Sequence, residues 1–155
     1  MQAKSKDELI REVIAAYRNA TNRDAAFDKL AAARLGLSLG DLHCINIVES
    51  RRGLTAGELA VASGLTTGAV TAVVDRLERA GYATRVRDER DRRKVKVEVT
   101  EAFYARAGAI WGPVAEEWQR AVKARFTADE LATIIAFLDQ VDELGARHAA
   151  RLAAG

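Results

Sequence analysis

The chain has 155 residues, 49% apolar and 30% charged, with a net charge of +2. This is one domain's length with an ordinary globular balance, and one proline with no low-complexity run excludes a disordered or linker-rich chain. No run nears the roughly 18 apolar residues of a membrane span, MQAKSKDELIREV lacks a signal-peptide core, and one cysteine excludes an intrachain disulfide or a zinc ribbon, so a cytoplasmic protein without membrane contact is expected.

The first element is a helix opening at Ser5, with Glu8 three residues on as a capping box and Leu9, Ile10, Val13, Ile14 and Tyr17 at helical spacing. FDKLAAARLG reads as a separate short helix ending at Gly36. Ser38 and Asp41 start another, with Leu42, Ile45 and Val48 on one face, running out near Gly53. Thr55 and Glu58 form a second capping box, followed by Leu59, Ala60 and a break at Gly64. Thr66 caps the next helix, whose apolar stripe is Val70, Val73, Val74 and Leu77 and whose end is Gly81.

After Gly81 the period changes from about 3.6 to 2. Residues 82–87 and 94–99 read as two strands of a hairpin with a charged tip of about six residues between them. A bare hairpin is marginal in water, so its valine face is expected to pack on neighbouring helices. Thr100 caps a long helix in which Gly112-Pro113 predicts a kink or break. Thr127 with Glu130 caps the last helix, with Leu131, Ile134, Ile135, Leu138, Val141 and Leu144 as its apolar face.

Charge is concentrated on the hairpin. From Arg76 to Lys96 nine bases stand against four acids, a local balance of +5 that leaves −3 for the rest of the chain. Such a region is an electrostatic footprint for a polyanion, or else a solvated loop. The order helix, glycine turn, helix, charged hairpin is a winged helix-turn-helix. Small Ala60 allows close approach, Gly64 permits the turn, and Leu59, Leu65, Val70 and Val73 fill the angle. The outward side of the second helix carries Thr66, Thr67, Gly68, Thr71, Ala72 and Arg76, small groups suited to a major groove, with threonines able to bond base edges or phosphates. A thin basic tip suits an adjacent minor groove. Asp91 is expected to pair with a nearby arginine such as Arg93 and hold the tip's shape.

LTAGELAVASGLTTGAVTAVVDRLERAGYATRVRDERDRRKVKVEVTE, residues 54–101, resembles the DNA-binding domain of the MarR family of bacterial regulators. The resemblance rests on ELA, on GLT...AVT..VDRLE..GY and on RD..DRR, and the flanking helices agree in number, length and order. It implies a mainly α fold with a small β-hairpin wing. In that single domain, residues 1–36 and 101–155 form dimerisation helices around a DNA-binding lobe, 37–100. Carried over by position, Thr66, Thr67, Thr71 and Arg76 fall on the recognition helix. Asp91 and Arg93 fall on the wing's Asp-x-Arg pair, with Arg90 and Arg92 beside them.

The implied function is a homodimeric transcriptional regulator, a repressor that a small molecule releases from a pseudo-palindromic site on double-stranded DNA. The wide apolar stripes of the terminal helices support the dimer independently: Ile10, Val13, Ile14, Ile134, Leu138 and Val141 are hard to hide unless they pack on each other within one chain. Trp111 and Trp118, seven apart on the long helix, with Tyr17 nearby, are the candidate pocket for an aromatic or lipophilic effector, and ordinary core packing is the alternative. Phe27, Phe103 and Tyr104 could join them. Cys44 reads as a buried inert thiol, and His43 and His148 as isolated, so neither a metal nor a cofactor is expected. Two other functions stay open: a DNA-binding protein without an effector, constitutive or architectural, and a winged helix used for protein interaction. No nucleophile with a base, phosphate loop or acid cluster points to an enzyme.

Overall fold

The computed structural model describes residues 4–89 and 91–154. In chain order the elements are α1 (Lys6–Leu35), α2 (Leu39–Ser50), β1 (Leu54–Thr55), α3 (Ala56–Ser63), α4 (Thr67–Arg79), β2 (Ala83–Arg87), β3 (Val95–Val99), α5 (Glu101–Arg125) and α6 (Ala128–Ala154). They fall into two compact units, one reaching to Ile110 and the other starting at Trp111.

Local chemistry sets the helix ends. Ser5 with Glu8, Ser38 with Asp41 and Thr55 with Glu58 close reciprocal capping boxes, each satisfying backbone N–H groups that the first turn leaves free. Thr127 and Glu130 make the same exchange ahead of α6. Gly81 sits at φ 74°, which lets the Tyr82 N–H reach the Leu77 carbonyl at 2.9 Å and the Gly81 N–H reach that of Glu78 at 2.9 Å, ending α4 in a Schellman turn.

Two expectations about helix continuity are corrected. The two helices expected between Ser5 and Gly36 are one, α1, because no glycine or proline interrupts Lys6–Leu35. Of the kink or break expected at Gly112-Pro113, the break is absent, and α5 runs through both residues. Proline clashes with the Cβ of the residue before it, and glycine has none, so this pair lowers the steric cost of an internal proline.

The first unit holds the core. Leu42, Ile45 and Val48 of α2, Leu59 of α3 and Val70, Val74 and Leu77 of α4 are all buried. The α3 and α4 axes are bent by 109° at the Gly64 turn, where φ is 70°. Leu65, expected inside this angle, stays 38% exposed because it lies in the connection just before the Thr66 cap.

The hairpin is part of a three-stranded sheet of order β1-β3-β2. Leu54 and Thr55 add a strand that the sequence reading lacked, pairing antiparallel with Val97 and Lys96. Of the β3 valines, Val97 is buried, Val99 half-buried and Val95 exposed, so the valine face packs only at the base of the wing.

Tyr82 ties this unit together. Its hydroxyl donates to the Leu35 carbonyl at 3.1 Å and accepts from Arg106 at 3.0 Å, and its ring meets Phe103 edge-on at 5.7 Å. Beyond Phe103, no described side chain is buried. No single helix among the described residues is long and apolar enough to cross a membrane.

Candidate nucleic-acid interface

The inner face of α4 fixes its place. Val70, Val73, Val74 and Leu77 are buried, and each contributes about 1.5–3 kcal/mol on burial. The exposed threonines bury no apolar surface on that scale, so the core does not depend on the outer face. That face carries Thr67, Gly68, Thr71 and Ala72, all exposed. Thr66 is the N-cap, its hydroxyl accepting the Ala69 N–H at 3.2 Å. The Thr71 hydroxyl donates to the Thr67 carbonyl at 3.0 Å, leaving its lone pairs outward. The result is a smooth helix end bearing hydroxyls, with no long side chain in its first turn.

Arg76 is different. Its Nη2 donates to Asp41 at 2.6 Å and its Nε at 3.1 Å, and the side chain keeps 44% exposure. Asp41 is only 3% exposed and also accepts from the Ser38 hydroxyl at 2.7 Å and its N–H at 3.2 Å. Burial alone would raise this carboxyl, but the bonds from Arg76 and Ser38 outweigh it and hold the group below the usual carboxylate range.

The wing divides its cations by role. Arg85 forks to Asp75 at 2.7 Å and to Glu78, and its backbone N–H donates to Glu78 at 2.9 Å. Lys96 pairs with Asp88, whose carboxylate also accepts the Asp91 N–H at 2.9 Å. Asp91 takes both the backbone N–H and Nε of Arg93 at 3.2 Å, the local pairing expected for the tip. The Arg93 side chain is still 92% exposed, so this pair orients the guanidinium without burying it. The side chains of Arg87 and Arg92 make no hydrogen bond or ion pair among the described residues and face solvent. Arg90 lies outside the described residues.

Arg85 and Lys96 thus strengthen the support, while Arg87, Arg92 and Arg93 carry the outward charge. Sequence reasoning missed the Asp41 and Arg85 partnerships. Ser38-x-x-Asp41 was visible as a cap, but its arginine lies 35 residues away.

The other candidate residues are spread over the two units. Tyr17 on α1 and Trp111 on α5 are half-buried. Trp118 is 64% exposed and lines an apolar groove of about 490 Å³ with Val114, Ala121 and Val122; Trp111 does not line it. Ile10, Val13, Ile14, Ile134 and Leu138 are exposed and Val141 is half-buried. Cys44 is fully buried, and desolvation, with the nearby Asp41 charge, pushes its thiol up.

Comparison with known proteins converges on this architecture. The MarR family model matches residues 35–94, from the end of α1 to the tip of the wing, just short of β3. An uncharacterized HTH-type transcriptional regulator of Bacillus subtilis, YcgE, is 34% identical over 140 residues, covering 90% of both chains.

The chain belongs to the MarR family.

Solved MarR structures share its fold. A MarR family protein from Bacillus stearothermophilus aligns with a TM-score of 0.67 at 17% identity, over 92% of this chain and 99% of that one. The multiple antibiotic-resistance repressor of Listeria monocytogenes aligns at 0.60 and 20% identity, over the same shares. Escherichia coli MarR in its apo form aligns at 0.55 and 21%, over 90% of this chain and 98% of that one. As a MarR-family transcriptional regulator this protein binds DNA, and its family consists of regulators rather than enzymes. The winged helix-turn-helix described above is the MarR fold.

Proposed function

We propose that this MarR-family protein is a homodimeric repressor that reads a pseudo-palindromic operator with two copies of α4 and two wings. The observation that carries this reading is the division of the lobe's surface. The outer face of α4 presents Thr66, Thr67, Gly68, Thr71 and Ala72, and the wing presents Arg92 and an oriented Asp91–Arg93 pair. Small hydroxylated residues suit base edges in the major groove, and exposed arginine suits the flanking minor groove. Arg90 belongs to the same proposed tip by sequence.

Exposed apolar surface supports the dimer. Ile10, Val13 and Ile14 of α1 and Ile134 and Leu138 of α6 are each more than a third exposed, a pattern that marks surface for association. A two-fold axis would set the recognition helices about 34 Å apart, one turn of DNA. The operator is released by an aromatic or lipophilic effector, with Tyr17, Trp111 and Trp118 as its sensing residues. The apolar groove beside Trp118 supports that residue's part in this step, while Tyr17 and Trp111 enter by sequence alone. A coupling of about 1–3 kcal/mol between effector and DNA suffices for the switch.

Fluorescence anisotropy tests the reading. The duplex upstream of the protein's own gene is titrated against a scrambled duplex of equal length at two salt concentrations. Tighter binding to the native duplex with a steep salt dependence is expected. Equal binding to both duplexes would remove the claim of a specific operator there.

A further inference from the structure

The recognition helix is gripped on two flanks by arginines that lie within the basic stretch. On one flank Arg76 of α4 forks to Asp41 of α2, with Nη2 at 2.6 Å and Nε at 3.1 Å. Asp41 is itself buried and fastened by two bonds from Ser38, so the anchor is rigid. On the other flank Arg85 of β2 forks to Asp75 and Glu78, three residues apart on one face of α4, and its backbone N–H adds a third bond at 2.9 Å. Planar guanidinium forks fix direction as well as distance, which an ammonium group does not.

We propose that Arg76 and Arg85 are positioning residues that aim α4 and the wing at DNA, their charges engaged by the protein's own carboxylates rather than by phosphates. The inference rests on the DNA-reading role of α4 and the wing proposed above. It reassigns Arg76 from groove contact to strut. It also separates the cations of the basic stretch into internal forks, Arg76 and Arg85, and outward charges such as Arg92. Two classes of arginine then differ in a measurable way. A cation on a phosphate displaces condensed counterions, and its loss lowers the slope of log affinity against log salt by about one. Loss of a positioning arginine lowers affinity at every salt concentration and leaves the slope alone.

The test uses the full chain with Lys and Gln variants at each position (Arg76→Lys, Arg76→Gln, Arg85→Lys, Arg85→Gln) and Arg92→Ala as the reference contact. Binding to the upstream duplex is titrated over a salt series. Both variants at each position are expected to lose affinity by about 3- to 30-fold with an unchanged slope. Arg92→Ala is expected to lose about one unit of slope. Where a Gln variant melts early, its charge-conserving Lys partner decides. A Lys variant with wild-type affinity, beside a Gln variant that loses a unit of slope, would make that arginine a phosphate contact and overturn the proposal. Wild-type affinity in all four variants would overturn it as well.

Amide exchange in the DNA-free protein separates this inference from the operator reading. Arg85→Lys is expected to speed exchange at β2 and the last turn of α4 by about tenfold or more. Unchanged exchange would sink the clasp even if the operator is confirmed. Faster exchange with no preference of the wild type for the native duplex would count against the operator alone.

Discussion

Asp41 shows how one carboxylate serves two elements. It caps α2 through Ser38 and braces α4 through Arg76. Its pKa in the folded chain lies below the ordinary value, so the stability it supplies is fully present above about pH 4 and is lost as pH falls toward the folded value. Asp41→Asn is expected to lower stability at pH 7 by about 2 kcal/mol, since half of Arg76 remains solvated and softens the loss. The same variant should show a flatter stability profile below about pH 4, and urea melts across pH would reveal either result. At the wing, Arg92→Ala is expected to weaken operator binding while leaving the melting temperature within a degree or two, because this side chain supports nothing. An anisotropy titration and a thermal melt on one preparation check both halves. Of the candidate contacts, the exposed threonines and the Asp91–Arg93 pair were legible from type and spacing. The Arg76 fork was not, because its partner sits 35 residues upstream and charge alone does not reveal where a side chain turns.

Elements were legible where their signals are local. Capping boxes need only an i to i+3 spacing, and those at Ser5, Thr55 and Thr127 formed as the residues suggest. The end of α4 at Gly81 is another local signal. Its φ of 74° suits glycine, and the space around it is open, so Gly81→Ala carries a backbone penalty without a steric clash. A loss of about 1–2 kcal/mol is expected, measured by chemical denaturation with the fold otherwise unchanged. Strand β1 escaped notice because two residues cannot display a period, and Leu54 and Thr55 acquire their pairing only from β3. The continuity of α5 escaped for the opposite reason. Proline is a strong local signal, and only the glycine before it moderates its effect.

The whole molecule is unevenly provisioned. Among the described residues the buried side chains lie between Ala31 and Phe103, while α6 offers exposed isoleucines and leucines over 27 residues. The proposed dimer supplies what that helix lacks. Sedimentation velocity is expected to give a species of twice the 16.8 kDa chain mass, and Ile134→Asp with Leu138→Asp should shift it to monomer and weaken operator binding together. A monomeric wild type at micromolar concentration would remove the proposed symmetry. Family and fold were readable from residues 54–101, whereas the effector depends on a cavity's shape, which spacing along a chain does not encode. The single cysteine offers a further handle. Cys44 sits in the middle of the lobe with no exposed surface and a thiol shifted away from the reactive thiolate. A thiol-reactive dye can reach it only when α2 lifts from its neighbours, so labelling becomes a clock for opening events in the native protein. Slower labelling upon addition of operator DNA would report, without any introduced probe, how much the bound duplex steadies the lobe that grips it.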